Sequence, residues 1–348
     1  MARDATVPPA LRAALDEAAA TAFVHVASGD DPTRRWLLGA PGSPDRDAYI
    51  CVGDRAACCP GDATDAARLA VPVADADGAT AADRAASVLA ATDATGTVLV
   101  PPHLPHDAAL RLESAGYDLA STDAVARARA AKTDRERAAL DRAGAAVDAG
   151  ISRARAVLDR ARTGRGLRWR RDDLSAGALR REARAAVASA GATPVSVAAD
   201  GVEPADPGGP VTLRVVARAE GYHAVCERTL VAEPEDGVLR RADVAGERAL
   251  AAARAELAAD ATPAAVRTEA MAELAAFGFG APDVAVHGVG LERRERPTGD
   301  SPVPADATLA VSLAVDTDAG PLRLADTLAV DPVARAITDA PTGLAARE

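Results

Sequence analysis

Aromatic residues and lysine are scarce in this chain of 348 residues. Phenylalanine, tryptophan and tyrosine together make up only 2%, so valine and leucine must fill most of the bulky core positions. Lys132 is the only lysine, and 51 acidic residues outnumber 40 basic ones, which gives a formal net charge of -11. A surface that binds nucleic acid needs a basic face to match the phosphates. The charge balance therefore argues against general nucleic-acid binding.

The chain also lacks the cysteine pattern and the long hydrophobic runs that would indicate export or a membrane span. Its four cysteines (Cys51, Cys58, Cys59 and Cys226) are too few for a disulfide framework and have no CxxC spacing. The N-terminus has no apolar core of signal-peptide type, and no stretch approaches the length of a membrane span. We therefore predict a cytoplasmic protein with no membrane partner. The acidic, Ala- and Arg-rich, Lys-poor composition is similar to that of proteins from salt-loving microbes.

Residues 1–128 are predicted to form a small α/β domain. Short apolar runs typical of strands alternate with longer amphipathic runs typical of helices, and this alternation favours helices layered on a sheet. The predicted strands are 22–27, 48–52, 68–73 and 97–101, and the predicted helices are 81–93 and 106–116.

Residues 129–348 are predicted to form a second domain of the α+β class. A long helix begins at the capping-box pair Thr133 and Glu136, and apolar residues follow along one of its faces. Pairs of helices around antiparallel hairpins are typical of the α+β class. The further predicted elements are helices over 173–191, 242–259 and 263–277, a hairpin over 211–232 that turns at Glu220 and Gly221, and strands over 309–315 and 322–330.

Four stretches resemble motifs of the creatinase/aminopeptidase P/methionine aminopeptidase family, the "pita-bread" metallohydrolases. They are ARARAAKTDRERAALDRAGAAVD, RAEGYHAVCERTLV, VHGVGLERRERP and LAVSLAVDTDAGPLRLADTLAV. They resemble, in order, the inter-domain helix with its R-x-x-K entry, the hairpin y-D-G-Y-x-x-D-x-T-R-T, the motif G-H-G-I-G-L-x-x-H-E-x-P, and the last pair of strands. The resemblance covers almost the whole chain and fits best the Xaa-Pro peptidases and creatinase. It implies a C-terminal pita-bread domain preceded by a smaller α/β domain.

The family holds two divalent metal ions, such as Mn, Co or Zn, with two Asp, one His and two Glu. The resemblance places these five ligand positions at Arg214, Val225, His287, Ala314 and Ala325. Only His287 keeps a metal-binding side chain, and a guanidinium about 4 Å from a dication costs roughly 8 kcal/mol at an effective dielectric near 20. The histidine of the H-E-x-P motif is Arg294 here, although Glu295 and Pro297 remain. We therefore expect no metal cofactor.

Two functions stay open on this evidence. In the first, the chain has lost its metal site and peptidase activity and acts as a binding or interaction protein. Arg214, His287 and Arg323 are then the candidates to bind a small anionic or peptide ligand, and His287 and Glu295 are remnants of the catalytic site. The alternative for Arg214 is an internal salt bridge, for instance to Glu292 or Glu295.

In the second function, the chain is an active metal-dependent Xaa-Pro dipeptidase or aminopeptidase whose ligands are displaced. The resemblance also implies a dimer, formed with a second copy or with a paralogue.

Overall fold

A computed structural model describes residues 7–62, 69–162, 166–201, 209–232, 237–280, 282–331 and 333–344. The chain divides into two compact units, Met1–Arg129 and Ala130–Glu348. Each unit combines helices and strands, so the predicted fold class of an α/β domain followed by an α+β domain is confirmed. Within the described ranges, no helix has the length and apolar character needed to cross a membrane.

The N-terminal unit is built on a five-stranded sheet in the order β3-β2-β1-β4-β5. Strand β1 pairs antiparallel with β2 and parallel with β4, which places it at the centre of the sheet. The elements of this unit are α1 (Pro9–Glu17), β1 (Ala22–Gly29), α2 (Pro32–Leu38), β2 (Ser43–Val52), β3 (Arg55–Cys59), α3 (Ala81–Ala91), β4 (Thr97–Val100), α4 (His106–Ser114), β5 (Asp118–Ser121) and α5 (Ala124–Ala128).

The predicted strand 68–73 is wrong. Residue 68 lies outside the described residues, and the remainder of the run makes only an isolated bridge between Val73 and Cys58. Pro72 accepts a hydrogen bond from the Cys58 amide at 2.8 Å but has no N–H with which to continue a ladder. The strand that completes this edge of the sheet is β3, which the sequence analysis did not identify.

The C-terminal unit carries an eight-stranded sheet in the order β12-β11-β13-β14-β10-β9-β8, with β15 paired to β14. The elements of this unit are α6 (Asp134–Asp159), β6 (Arg168–Trp169), β7 (Asp172–Asp173), α7 (Ala176–Ser189), β8 (Thr193–Asp200), β9 (Val211–Ala219), β10 (Tyr222–Leu230), α8 (Gly237–Glu256), α9 (Pro263–Ala276), β11 (Asp283–Gly288), β12 (Glu295–Thr298), β13 (Thr308–Thr317), β14 (Gly320–Asp331) and β15 (Val333–Ala336).

Local signals in the sequence explain where the main elements of this unit begin and turn. Thr133 and Glu136 form the capping box of α6, with Glu136 Oε2 accepting from the Thr133 amide at 2.7 Å. The hairpin of β9 and β10 turns at Glu220 and Gly221, which both have positive φ, as a two-residue hairpin turn requires. Helix α9 begins at the cap Thr262.

The helices cover one face of the eight-stranded sheet, and the candidate site lies on the other face. Alternate residues of β9 and β10, such as Leu213, Val215 and Cys226, are buried against α6 and α7. Residues such as Leu309 and Leu324 of β13 and β14 are buried in a second core with α8 and α9. Because side chains alternate along a strand, the residues between these positions project from the opposite face.

Candidate functional site

A row of residues crosses the eight-stranded sheet from strand to strand, on the face that the helices do not cover. Arg214 on β9 lies opposite Glu227 on β10, Glu227 lies opposite Ala325 on β14, and Ala325 lies opposite Ser312 on β13. Ser312 in turn faces Ala285 on β11. Directly opposed residues of antiparallel strands have Cβ atoms about 4.5–5.5 Å apart. These five positions therefore form one row across five neighbouring strands.

Ala314 does not lie directly opposite Ala325. Ala314 lies opposite Arg323 on one side and Asp283 on the other, two residues further along β13 than Ser312. A two-residue step moves a side chain by about 6.5–7 Å along the strand. Ser312 is therefore the residue that faces Ala325, and it brings a hydroxyl group and no carboxylate.

A cavity of about 250 Å³ opens on the same face of the sheet. Three of the five predicted ligand positions, Arg214, Val225 and His287, contribute to its lining, whereas Ala314 and Ala325 do not. The predicted positions thus converge in part. The remaining lining residues are Ser196, Val216, His223, Ala224, Val289, Arg293 and Arg294.

One wall of the cavity is apolar. Val216, Val225, Val289 and Ala310 pack together as a small buried cluster of their own. Ala310 lies opposite His287 in the pairing of β13 with β11, so this cluster borders the histidine. Val225 holds the position that the resemblance gives to an aspartate, and its side chain offers no donor atom to a cation.

Arg214 forms the internal salt bridge that the sequence analysis weighed, but its partner differs. Its Nη1 atom lies 2.7 Å from Glu227 Oε2, directly across the strand pair. Neither Glu292 nor Glu295, the partners that were expected, accepts this bond. The Arg214 side chain is 41% exposed, so a guanidinium with several N–H donors still reaches the cavity.

Glu295 is occupied by a buried ion pair elsewhere in the unit. Lys132 Nζ lies 2.8 Å from Glu295 Oε1, and the two side chains are only 1% and 5% exposed. The same ammonium donates to the carbonyl of Ala130 at 3.2 Å. Glu295 does not line the cavity, and its carboxylate is engaged by the only lysine in the chain.

Two histidines face the cavity with their pKa values lowered. Burial lowers the pKa of His287, nearby Arg294 and Arg214 lower it further, and its Nδ1 lies 3.0 Å from the Gly288 carbonyl. Burial likewise lowers the pKa of His223. Both rings are therefore neutral at pH 7. His223 lies two residues before Val225 on β10, so its side chain projects from the same face of the strand.

Arginines dominate the charge around the cavity. Arg293 and Arg294 lie between β11 and β12 and line the cavity with Arg214. Arg323 does not line it: its side chain is 43% exposed and lies 4.0 Å from the carboxylate of Asp316. Arg323, a predicted ligand-binding candidate, thus lies outside the lining, and Arg293 is the cationic residue that sequence reasoning missed.

The residues of this cavity do not fit the pair of divalent ions that the resemblance implies. Hard and borderline cations need oxygen or imidazole donors. Here the imidazoles of His287 and His223, the hydroxyl of Ser196 and the nearby arginine-bound carboxylate of Glu227 stand in place of two Asp, one His and two Glu. Across the described ranges, one group of three His, Cys, Asp or Glu residues has its donor atoms within 4.8 Å of one another. That group is His25, Asp31 and His103, in the N-terminal unit.

Comparison with known proteins agrees with the fold and with these motifs. The sequence model of metallopeptidase family M24 matches residues 134–332, which is more than half of the chain. No curated protein matches the chain.

Several solved structures share the whole architecture. The Xaa-Pro dipeptidase from Bacillus anthracis is 18% identical, with a TM-score of 0.79 over 97% of this chain and 98% of its own. The dipeptidase PepE from Mycobacterium ulcerans is 22% identical, with a TM-score of 0.77 over 97% and 95%. The N-terminal domain of the FACT complex subunit SPT16 from chickpea (Cicer arietinum) is 14% identical, with a TM-score of 0.73 over 96% and 95%. Identities this low show a shared fold.

Proposed function

Because the chain belongs to metallopeptidase family M24, we propose that it is a member without the dinuclear metal site and without peptidase activity. Its cavity instead binds a small ligand that carries a carboxylate group. The observation that carries this proposal is the cavity lining, in which three arginines are present and Arg214 and Val225 stand where the family resemblance implies aspartates.

The charge of the cavity supports an anionic ligand. Among the residues that the structure describes, the lining includes Arg214, Arg293 and Arg294 and no acidic residue, and Glu227 offsets one of these three positive charges. The chain as a whole carries a formal charge of -11, so this local excess of positive charge runs against the overall balance. Two opposite charges 4 Å apart attract by about 4 kcal/mol at an effective dielectric near 20.

The same charges disfavour a pair of metal ions. A dication about 4 Å from the guanidinium of Arg214 is repelled by roughly 8 kcal/mol at that dielectric. Glu227 is the one carboxylate in the cross-strand row, and it already accepts a bond from Arg214. Neutral His287 supplies a single donor, which is too little to offset this repulsion.

The size and lining of the cavity suggest the class of ligand. About 250 Å³ lies just below the range of roughly 300–1,000 Å³ that is typical of drug-sized ligands. An arginine fork binds a carboxylate through two parallel hydrogen bonds. The apolar wall around Val216, Val225 and Val289 suits a short aliphatic body. An N-acylated aliphatic amino acid has both features.

Calorimetric titration of the full chain with N-acetylvaline tests the proposal, with the uncharged N-acetylvalinamide as the matched ligand. We expect the acid to bind at least tenfold more tightly than the amide. Arg294→Gln and Arg214→Gln should each weaken binding of the acid about 10- to 100-fold, because a charged hydrogen bond contributes about 1.5–3 kcal/mol. Arg142→Gln removes a guanidinium from the exposed pair with Glu220 and should leave binding unchanged.

Glu227→Gln provides the sharpest control for this experiment. It removes the competing carboxylate from Arg214 and should strengthen binding of the acid, the opposite direction to Arg214→Gln. Equal affinities for acid and amide, or no binding of the acid, would overturn the proposed anion site.

The alternative is an active metal-dependent Xaa-Pro peptidase, which the fold shared with the Bacillus anthracis Xaa-Pro dipeptidase favours. The purified chain should be assayed on Xaa-Pro dipeptides with added Mn²⁺, Co²⁺ or Zn²⁺. Cleavage that depends on the metal and disappears in His287→Ala would establish this alternative and refute the proposal.

A further inference from the structure

The N-terminal unit holds a second cluster of chemically competent side chains, separate from the cavity on the eight-stranded sheet. His25 lies in β1, Asp31 follows the end of β1, and His103 follows the end of β4. The ligating atoms of these three residues all lie within 4.8 Å of one another. We propose that they form a site for a single divalent transition-metal ion of the zinc class.

The donor set is of the kind that such ions prefer. Two imidazole nitrogens and one carboxylate oxygen suit zinc and its neighbours, which bind borderline nitrogen donors together with oxygen. His25 Nε2 lies 2.9 Å from Asp31 Oδ1, and His103 Nε2 lies 3.5 Å from Asp31 Oδ2. Donor atoms around a tetrahedral zinc ion with bonds of about 2.0–2.1 Å are about 3.3 Å apart. The two measured separations, which involve different oxygens of Asp31, each lie within a few tenths of an ångström of that value.

Two of the three side chains are held in place before any ion binds. The carboxylate of Asp31 accepts a hydrogen bond from the amide of Arg34 at 2.6 Å through Oδ1, which fixes its orientation. The His25 ring is only 1% exposed on the central strand of its sheet. Outer contacts that orient the ligands in this way are a common feature of metal sites.

The location of the cluster also suits a ligand. Strands β1 and β4 are parallel neighbours, so the loops that follow them, with Asp31 and His103, leave the same edge of the sheet. In α/β sheets, ligands bind in the crevice outside the carboxyl ends of the strands. The His103 side chain is 50% exposed, which gives solvent access to the site and leaves room for water as a further ligand.

The test uses the full chain after dialysis against a chelator, titrated with Zn²⁺ by calorimetry and with Co²⁺ by visible absorption. We expect one ion per chain, with the Co²⁺ spectrum of a four-coordinate site. His103→Asn and Asp31→Asn should each weaken binding of Zn²⁺ at least 100-fold, because even changes to outer contacts cost 10- to 100-fold. Asparagine at position 31 keeps a helix cap, and His103 is exposed, so both variants should fold.

Two matched histidine variants separate this site from other sources of binding. His106→Asn removes an exposed imidazole of the same unit, and His287→Asn removes the imidazole of the other cavity. Both should bind Zn²⁺ as the natural chain does. The proposal is refuted if no ion binds, if His103→Asn leaves binding unchanged, or if His287→Asn abolishes it.

Discussion

The buried ion pair between Lys132 and Glu295 allows a quantitative test of whether Glu295 is structural. The two charged atoms are 2.8 Å apart, and both side chains are almost completely buried. Removing one partner of a buried pair destabilises a protein by about 3–5 kcal/mol, because the other charge is left uncompensated. We therefore expect Lys132→Met to lower the free energy of unfolding substantially.

The destabilisation by Lys132→Met should be about 3–5 kcal/mol, because the buried Glu295 carboxylate loses the ammonium that compensates its charge.

Urea unfolding followed by tryptophan fluorescence measures this effect. The chain has two tryptophans, Trp36 in the N-terminal unit and Trp169 in the C-terminal unit, so a Trp36→Phe background reports on the C-terminal unit. The double variant Lys132→Met/Glu295→Leu should recover most of the lost stability, because it leaves no unpaired charge.

Arg142→Met is the matched control for the same measurement. It breaks the pair with Glu220, in which both side chains are about half exposed, and should cost less than about 1 kcal/mol. A loss below 1 kcal/mol for Lys132→Met, or a loss no larger than that of Arg142→Met, would refute the reasoning. Glu295 would then again be open to a role in catalysis.

Two further predictions concern pH. Burial raises the pKa of Asp243 to about 6, so the contribution of this group to stability is greatest below pH 4 and is lost as the pH rises through 6. In urea unfolding at pH 7, Asp243→Asn should therefore stabilise the chain by about 1–3 kcal/mol. An unchanged midpoint would contradict this. Burial lowers the pKa of His287 and of His223, so the contributions of both neutral rings to stability are present above pH 6.5 and are lost as the pH falls through the pKa values of the folded state. In NMR titrations, both rings should show pKa values below 6.5. His287→Gln should reduce the loss of stability in acid.

Long periodic elements were predictable from the sequence, and short ones were not. The capping box at Thr133 and the positive-φ turn at Glu220 and Gly221 are local signals, and both lie where they were expected. Helix α2 and strand β8 went unrecognised because short, Ala-rich or Pro-containing runs carry little periodicity.

For the candidate site, the sequence predicted which residues share a site but not which residues pair with each other across the strands. The family resemblance implies one site for Arg214, Val225 and His287, and these three residues do line one cavity. The pairing of β13 with β14 depends on the turn after Thr317, so the residue opposite Ala325 could not be read from the motif. The expected dimer and the cytoplasmic location stay predictions, because they concern partners and surroundings beyond a single chain.

The pairing of Arg214 with Glu227 limits how a metal centre could be rebuilt in this protein. Arg214→Asp alone would place two carboxylates directly opposite each other on neighbouring strands, where like charges are destabilising. Further carboxylates at Val225, Ser312 or Ala325 would add to this repulsion until a cation was bound. The order of substitution therefore matters: Glu227 has to lose its charge before Arg214 is replaced, and the metal has to be present while the remaining ligands are introduced.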